Sequence, residues 1–430
     1  MSDSVNADDR GRTAIRGAAL SYSKDPFRHP LEDCVVYEAD ALIVMGDGVI
    51  ESFGPAAEIQ ASLPEGTTVT QYENCLILPG FIDCHVHYPQ TEIIGVYGKH
   101  LLDWLHKYTF VAEQNFKNKE HASNTAKVFL RESLRCGTTT SSVFCTVDPI
   151  SVDAFFEESH KLGMRNIAGK VLMDRNAPDE LLETPREGYE QTQELIDRWH
   201  LNGRSLYSVT PRFAPTSSFE QMQLTGKVWQ ENPGTFLQSH VSENPSEVEW
   251  VRELFPDQSS YVGVYDHFGM LGERSILGHG VHLSEQEFQL LHDSGTAIAH
   301  CPTSNLFLGS GLFDIETAMD SARPVRVGLA TDLGAGTNFS QLVSMNEAYK
   351  IAPLNGYAHS AHHAEYLATR GAAKARDLDD KIGSIEVGME ADLTVLDLKA
   401  TPVLGYRMKH TKNLEEALFV LMTLGDDRTS

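Results

Sequence analysis

The chain has 430 residues, 41% apolar and 22% charged, an ordinary globular composition. That length suits two to three domains, or one large α/β barrel with an accessory piece. Its 35 Lys and Arg against 60 Asp and Glu leave a formal net charge of −25, which repels phosphate backbones and anionic membranes. Nucleic-acid polymers and membranes are therefore excluded as partners, whereas a neutral or cationic small molecule is not.

Residues 1–12 are polar and mixed in charge, read as a disordered start with no basic-then-apolar leader. No stretch approaches the roughly 20 apolar residues of a membrane span. The six cysteines form no CxxC pair, which removes zinc-ribbon and thioredoxin readings and fits a reducing, cytoplasmic setting. From residue 13 to about 54 the texture is short β, with Gly46-Asp47-Gly48 supplying hairpin turn chemistry before Val49-Ile50. Similar texture returns at 382–385 and 391–397.

Between these flanks, β-like runs at 75–87, 138–143, 165–172, 207–213, 235–241, 275–279, 296–300 and 327–331 alternate with helical stretches such as 120–135, 152–162 and 180–201. Eight βα units in a row predict an α/β fold, a (β/α)₈ TIM barrel over 77–382. Residues 13–76 plus 383–430 are expected to form a small β-sandwich-like domain from both termini.

Barrel active sites lie at the C-terminal ends of strands. The first run ends Asp83-Cys84-His85-Val86-His87. Residues i and i+2 on a strand face one way, so both imidazoles can share a metal. The fifth run ends at His240, the sixth at His279 and the eighth at Asp332. Among 18 histidines an HxH is unremarkable; the joint placement of ligand-type residues at strand tips carries the metal reading, and zinc suits imidazole and carboxylate donors. His300 ends the seventh run and is taken as a neighbour of the site, not a ligand. His359, His362 and His363 are read as surface or core. His363-Ala364-Glu365 matches the HxE of cytidine-type zinc deaminases, but their PCxxC is missing, so it is read as a helix-surface coincidence.

The segment Pro79-Gly80-Phe81-Ile82-Asp83-Cys84-His85-Val86-His87 resembles the strand-1 motif of the amidohydrolase superfamily. Gly383-Ser384-Ile385 through Gly388-Met389-Glu390-Ala391-Asp392-Leu393 resembles its C-terminal β motif. Within the superfamily the guanine deaminases are the near match. His87-Tyr88-Pro89-Gln90 resembles their HxPQ, and Leu101-Leu102-Asp103-Trp104-Leu105 through Lys107-Tyr108-Thr109-Phe110 resembles the helix that follows. Thr210-Pro211-Arg212-Phe213, Ser239-His240-Val241-Ser242-Glu243-Asn244 and Cys301-Pro302-Thr303-Ser304-Asn305 also fit. The resemblance implies one zinc per chain on His85, His87, His240 and Asp332, and a homodimer. It implies Glu243, His279 and Asp332 as catalytic groups, and a substrate contacted by His87, Gln90, Arg212, Phe213, His240, Glu243 and Asp332. The implied reaction is guanine plus water to xanthine plus ammonia.

The chemistry of the residues agrees. Zinc-activated water can attack a ring carbon, with Asp332 as base and His279 orienting the nucleophile. Glu243, three residues beyond His240, is placed to shuttle protons to the ring nitrogen and the departing amine. The Arg212 fork matches the O6/N7 edge of guanine, Gln90 can donate or accept on another edge, and Phe213 can pack on the ring face. A surface ion pair is the bland alternative for Arg212. Three other readings compete. A two-metal lactam hydrolase needs a bridging lysine, usually on the fourth strand, and the only inward candidate, Lys170, falls on the third. Deaminases of adenosine-like, cytosine or triazine substrates fit the Arg212 and Gln90 segments poorly. A metal-free scaffold should lack ligands, and none is missing.

Overall fold

The computed structural model describes residues 12–63, 67–98 and 101–430. The disordered start expected at residues 1–12 lies, but for Arg12, outside the described residues. Strands Thr13–Tyr22 (β1), Val35–Gly46 (β2), Val49–Pro55 (β3), Thr68–Pro79 (β4) and the late Leu393–Asp397 (β14) form one five-stranded sheet, ordered β14-β4-β1-β2-β3. Asp47 (φ 53°) and Gly48 (φ 79°) make the two-residue β2–β3 turn, and positive φ at both positions matches strand twist.

The barrel strands are Phe81–His87 (β5), Thr138–Phe144 (β6), Arg165–Gly169 (β7), Val171–Leu172 (β8), Leu206–Pro211 (β9), Phe236–Val241 (β10), Ser275–His279 (β11), Ala297–His300 (β12) and Val327–Leu329 (β13). They run parallel in the order β5-β6-β7-β9-β10-β11-β12-β13, with the short β8 off this path against β9. Their residues are almost wholly buried, as a parallel sheet between helices requires. The seam between β13 and β5 is tied by Asp83, which accepts from Thr331 N (3.0 Å) and from the Thr331 hydroxyl, and by the Asp332 amide donating to His85 O (3.0 Å). Thus Asp83, beside the HxH, holds the first and last barrel strands together.

Three sequence expectations change. The run 75–87 is two strands in two sheets: β4 pairs with β1 and β14, and β5 pairs with β6. The break falls at Pro79-Gly80, where a Cβ on Gly80 would stand 2.1 Å from Thr139 Oγ1; only glycine lets the chain cross so close to β6. Residues 382–385 form no strand, because Gly383 turns at φ 90° while Ile382 and Ile385 are buried. The helix expected over 180–201 is Pro185–Trp199, started by a Thr184/Glu187 capping box with proline in the first turn. The final helix, Leu414–Leu424, packs on helices Gln341–Leu354 and Ala361–Ala368. Among the described residues no helix is long and apolar enough to cross a membrane.

The HxE reading is also corrected. Glu365 is fully buried rather than on a helix surface, and neither carboxyl oxygen has a partner among the described residues. Burial alone pushes its carboxyl up to about 8. Between the ordinary glutamate value and about 8, the unfolded chain ionises while the folded chain keeps the proton. The unfolded state then binds fewer protons, so stability falls as pH rises through that window and the cost is complete above it. At ~1.4 kcal/mol per pH unit the upper bound is about 5 kcal/mol. Glu365→Gln should therefore unfold later than wild type at pH 8.5 and near wild type at pH 4.5, in thermal melts at both values. Equal midpoints at pH 8.5 would show that the buried carboxyl is relieved by a contact the fold does not display.

Candidate active site

The tips of the barrel strands meet in one pocket. It is lined by His87, Gln90, Arg212, Phe213, His240, Glu243, His279 and Asp332, with Leu101, Trp104, Leu105, Leu308 and Ala335 as its apolar wall. Every expected site residue but His85 lines it. His85 lies beneath, fully buried, with a ring nitrogen within 4.8 Å of those of His87 and His240.

The histidines present lone pairs to one point. His240 Nδ1 is 2.6 Å from Arg212 O; a carbonyl only accepts, so Nδ1 carries the proton and Nε2 is bare. That Nε2 lies 3.1 Å from His87 Nε2. His85 Nε2 and His87 Nε2 are 3.5 and 3.6 Å from Asp332 Oδ1. Both nitrogens of His85, and Nδ1 of His87, lack hydrogen bonds among the described residues. Burial pulls His85, His87 and His240 below the usual imidazole range, keeping them neutral and able to ligate. Asp332 is held below the usual carboxylate range: burial opposes this, but His85 and His279 overcome it. Three neutral imidazoles and an ionised carboxylate fit a divalent metal such as zinc.

A second grouping, His85, His279, Cys301 and Asp332, is equally close. Sequence reasoning passed over Cys301. Burial raises its thiol well above the usual range, and Sγ donates to Ala299 O at 3.4 Å. Among the described residues these two groupings are the places where a metal could be held.

The proton-handling groups are fixed from behind. His279 Nδ1 meets Asn305 Oδ1 at 2.9 Å, which turns Nε2 toward Glu243 Oε2 (3.5 Å) and Asp332 Oδ2 (3.8 Å). Burial lowers the His279 imidazole, but the two carboxylates more than reverse this and leave it raised. Glu243 is pushed up to about 7, chiefly by burial. Its Oε1 accepts from Ser310 at 3.1 Å, and its loop is pinned by Glu247 Oε2, which accepts from the amides of Glu243 (2.9 Å) and Asn244 (3.1 Å). Ser242, His279 and Asp332 all take left-handed backbone angles, φ 48°, 75° and 47°. Such conformations cost on the order of 1–3 kcal/mol each and persist where the surroundings over-determine them.

The Arg212 expectation changes in kind. Arg212 is 2% exposed, and its Nη1 donates to both oxygens of Glu113, at 2.9 and 2.8 Å. Its guanidinium also stands 5.3 Å over the Phe110 ring. It is neither a surface pair nor a free fork. Glu113 was missed in the sequence, although it lies three residues beyond the Phe110 that closes the quoted helix motif. Lys170 is fully buried and its ammonium pairs with Glu183. His300 stacks on Phe313 at 4.8 Å and does not line the pocket.

Residues 76–425 match the Amidohydrolase family, and the chain belongs to that family of barrel hydrolases acting on C–N bonds. Its branch is narrower. The guanine deaminase of Escherichia coli (strain K12) is 48% identical over 418 residues, covering 97% of this chain and 94% of that protein. The solved structure of E. coli guanine deaminase matches with a TM-score of 0.93 at 44% identity, over 97% of this chain and 96% of that one. Guanine deaminase from C. acetobutylicum, solved with guanine bound in its active site, matches with a TM-score of 0.86 at 29% identity, over 97% of each chain. Among the amidohydrolases, the chain is thus grouped with the guanine deaminases.

Proposed function

We propose that this chain is a zinc-dependent guanine deaminase with one metal ion per chain, held by His85, His87, His240 and Asp332. The observation that carries the reading is the one pocket in which His87, His240, Asp332, Glu243, Gln90 and Arg212 face one another, with His85 buried beside His87 and His240. When bound, the metal supplies Lewis acidity that brings the pKa of water to about 7.

The remaining work falls to the chain. Deamination adds water to C2 of the purine, protonates the neighbouring ring nitrogen and expels ammonia, so a proton must be given twice. Glu243, with its carboxyl near 7, can be loaded and unloaded at neutral pH. Asp332 stays ionised and can take the proton of the attacking water. His279, held through Asn305, orients it. Phe213 and the Leu101, Trp104 and Leu105 wall exclude bulk water and pack the ring. The Lys170–Glu183 pair removes the lysine a bridged two-metal centre would need. The test is ammonia release by metal-loaded protein from guanine, adenine and cytosine. Guanine should be preferred by at least two orders of magnitude, and comparable turnover of adenine or cytosine would displace this reading in favour of another deaminase of the fold.

A further inference from the structure

The floor of the barrel, at the end away from the pocket, gathers arginines. Arg165 opens β7, and Arg204, Arg274 and Arg326 lie one or two residues ahead of β9, β11 and β13. A fifth, Arg376, follows the helix Arg370–Ala375, whose Ala372 and Ala373 join Ile82, Ile167, Phe236 and Ile276 of the strands in one apolar cluster. Four of the five are partnered. Arg165 and Arg204 donate to Glu390, Arg204 also to Asp392, and Arg274 to Asp377. Arg326 donates to the carbonyls of Lys374, Glu273 and Gly295. Arg376 differs: it is fully buried, and its Nε, Nη1 and Nη2 have no hydrogen bond among the described residues.

The Arg376 guanidinium stands 5.0 Å over the Phe236 ring, which carries Arg274 at 5.2 Å as well. A ring face attracts a cation but brings no counter-charge. The helix end offers none either, since Ala372 O and Ala373 O accept from the Arg376 amide and Lys374 O accepts from Arg326. Burial lowers this guanidinium only to about 10, so it is charged at neutral pH. A buried charge is costly unless it is paired and hydrogen-bonded. Five guanidiniums here share the three carboxylates that bond them, a local excess of positive charge in a chain whose total is −25.

From this geometry we propose that Arg376 marks an internal anion site in the barrel floor, which takes a small monovalent anion of the halide class. Ser208 pairs in register with Phe236 and shares its inward face, and its buried hydroxyl also has no partner among the described residues. It offers a second donor beside the guanidinium. The remaining lining is Ile and Ala, which gives a tetrahedral oxyanion no donors for its other oxygens. The site lies at the opposite end of the barrel from the metal-competent residues and does not depend on the reaction there.

The test melts metal-loaded protein in sodium bromide and in sodium gluconate at equal ionic strength, with Arg376→Met beside wild type. An anion at about 100 times its dissociation constant favours the folded state about 100-fold, a rise of about 3 °C for a chain of this size. Wild type should gain that much from bromide over and above Arg376→Met, which cancels general salt effects and any halide at the metal. In gluconate the variant should melt at or above wild type, because an apolar side chain replaces an unpaired buried charge. Its kcat on guanine should stay within about 2-fold of wild type, the two sites being far apart. Wild-type crystals grown in bromide should show an anomalous peak within hydrogen-bond reach of the Arg376 guanidinium, a readout that stands even if the variant does not fold. Water at that position without a bromide peak overturns the proposal, as does an equal bromide dependence of the two proteins. Wild type melting above Arg376→Met by the same margin in both salts would also overturn it, because the guanidinium would then be satisfied by the protein itself.

Discussion

Glu243→Gln is expected to lower kcat on guanine by about 10²–10⁴-fold, the range general acid–base groups supply, or roughly 3–5 kcal/mol of barrier. The amide has the shape of the carboxyl but no proton to cycle. Ser310 can still donate to the side-chain oxygen it meets at 3.1 Å, and the Glu247 contacts are to backbone amides of the loop. The substitution therefore leaves the scaffold in place, and Glu243 is outside both metal-competent groupings. Metal content should match wild type, and KM should move much less than kcat. The raised carboxyl near 7 makes the group a donor in neutral solution where an ordinary glutamate would be ionised. A variant with normal metal and near-normal kcat would assign the proton transfer elsewhere, with His279 the nearest remaining group.

The strand-tip residues could be read from the sequence because a parallel barrel converts position into function. A run of buried residues followed by a ligand-type side chain marks the catalytic end, and the i, i+2 spacing puts His85 and His87 on one side. What stayed hidden was pairwise. Arg212 was visible as a strand-tip cation, but its partner Glu113 is 99 positions away on a helix, and no periodicity links the two. Ser310 and Asn305 likewise act through single contacts between distant segments. The split of 75–87 was concealed for a different reason. The two halves share β composition, and only the close approach of Gly80 to Thr139 shows where one sheet hands over to the other. Glu365 was misjudged because burial is set by the neighbouring helices, so the solitary acidic residue of the helix Ala361–Ala368 looked like an exposed one.

His240→Ala is expected to remove bound metal and activity together. His240 supplies one of three neutral imidazoles, and the hydrogen bond from its Nδ1 to Arg212 O fixes which nitrogen faces the others. Outer partners of metal ligands typically affect affinity by 10–100-fold, and loss of the ligand itself should exceed that. Elemental analysis after dialysis should fall from one metal ion per chain to a small fraction, with kcat/KM on guanine reduced by at least 10³-fold. Wild-type stability should also depend on metal, because an ion bound only by the folded state raises the unfolding free energy by mass action. Chelation should therefore lower the wild-type melting temperature and leave that of His240→Ala almost unchanged. Two metal ions per wild-type chain at full occupancy would support a binuclear hydrolase and conflict with the commitment of Lys170 to Glu183. A His240→Ala protein that turned over guanine while free of metal would take the histidine cluster out of the reaction and leave Glu243, Asp332 and His279 to carry it without a Lewis acid.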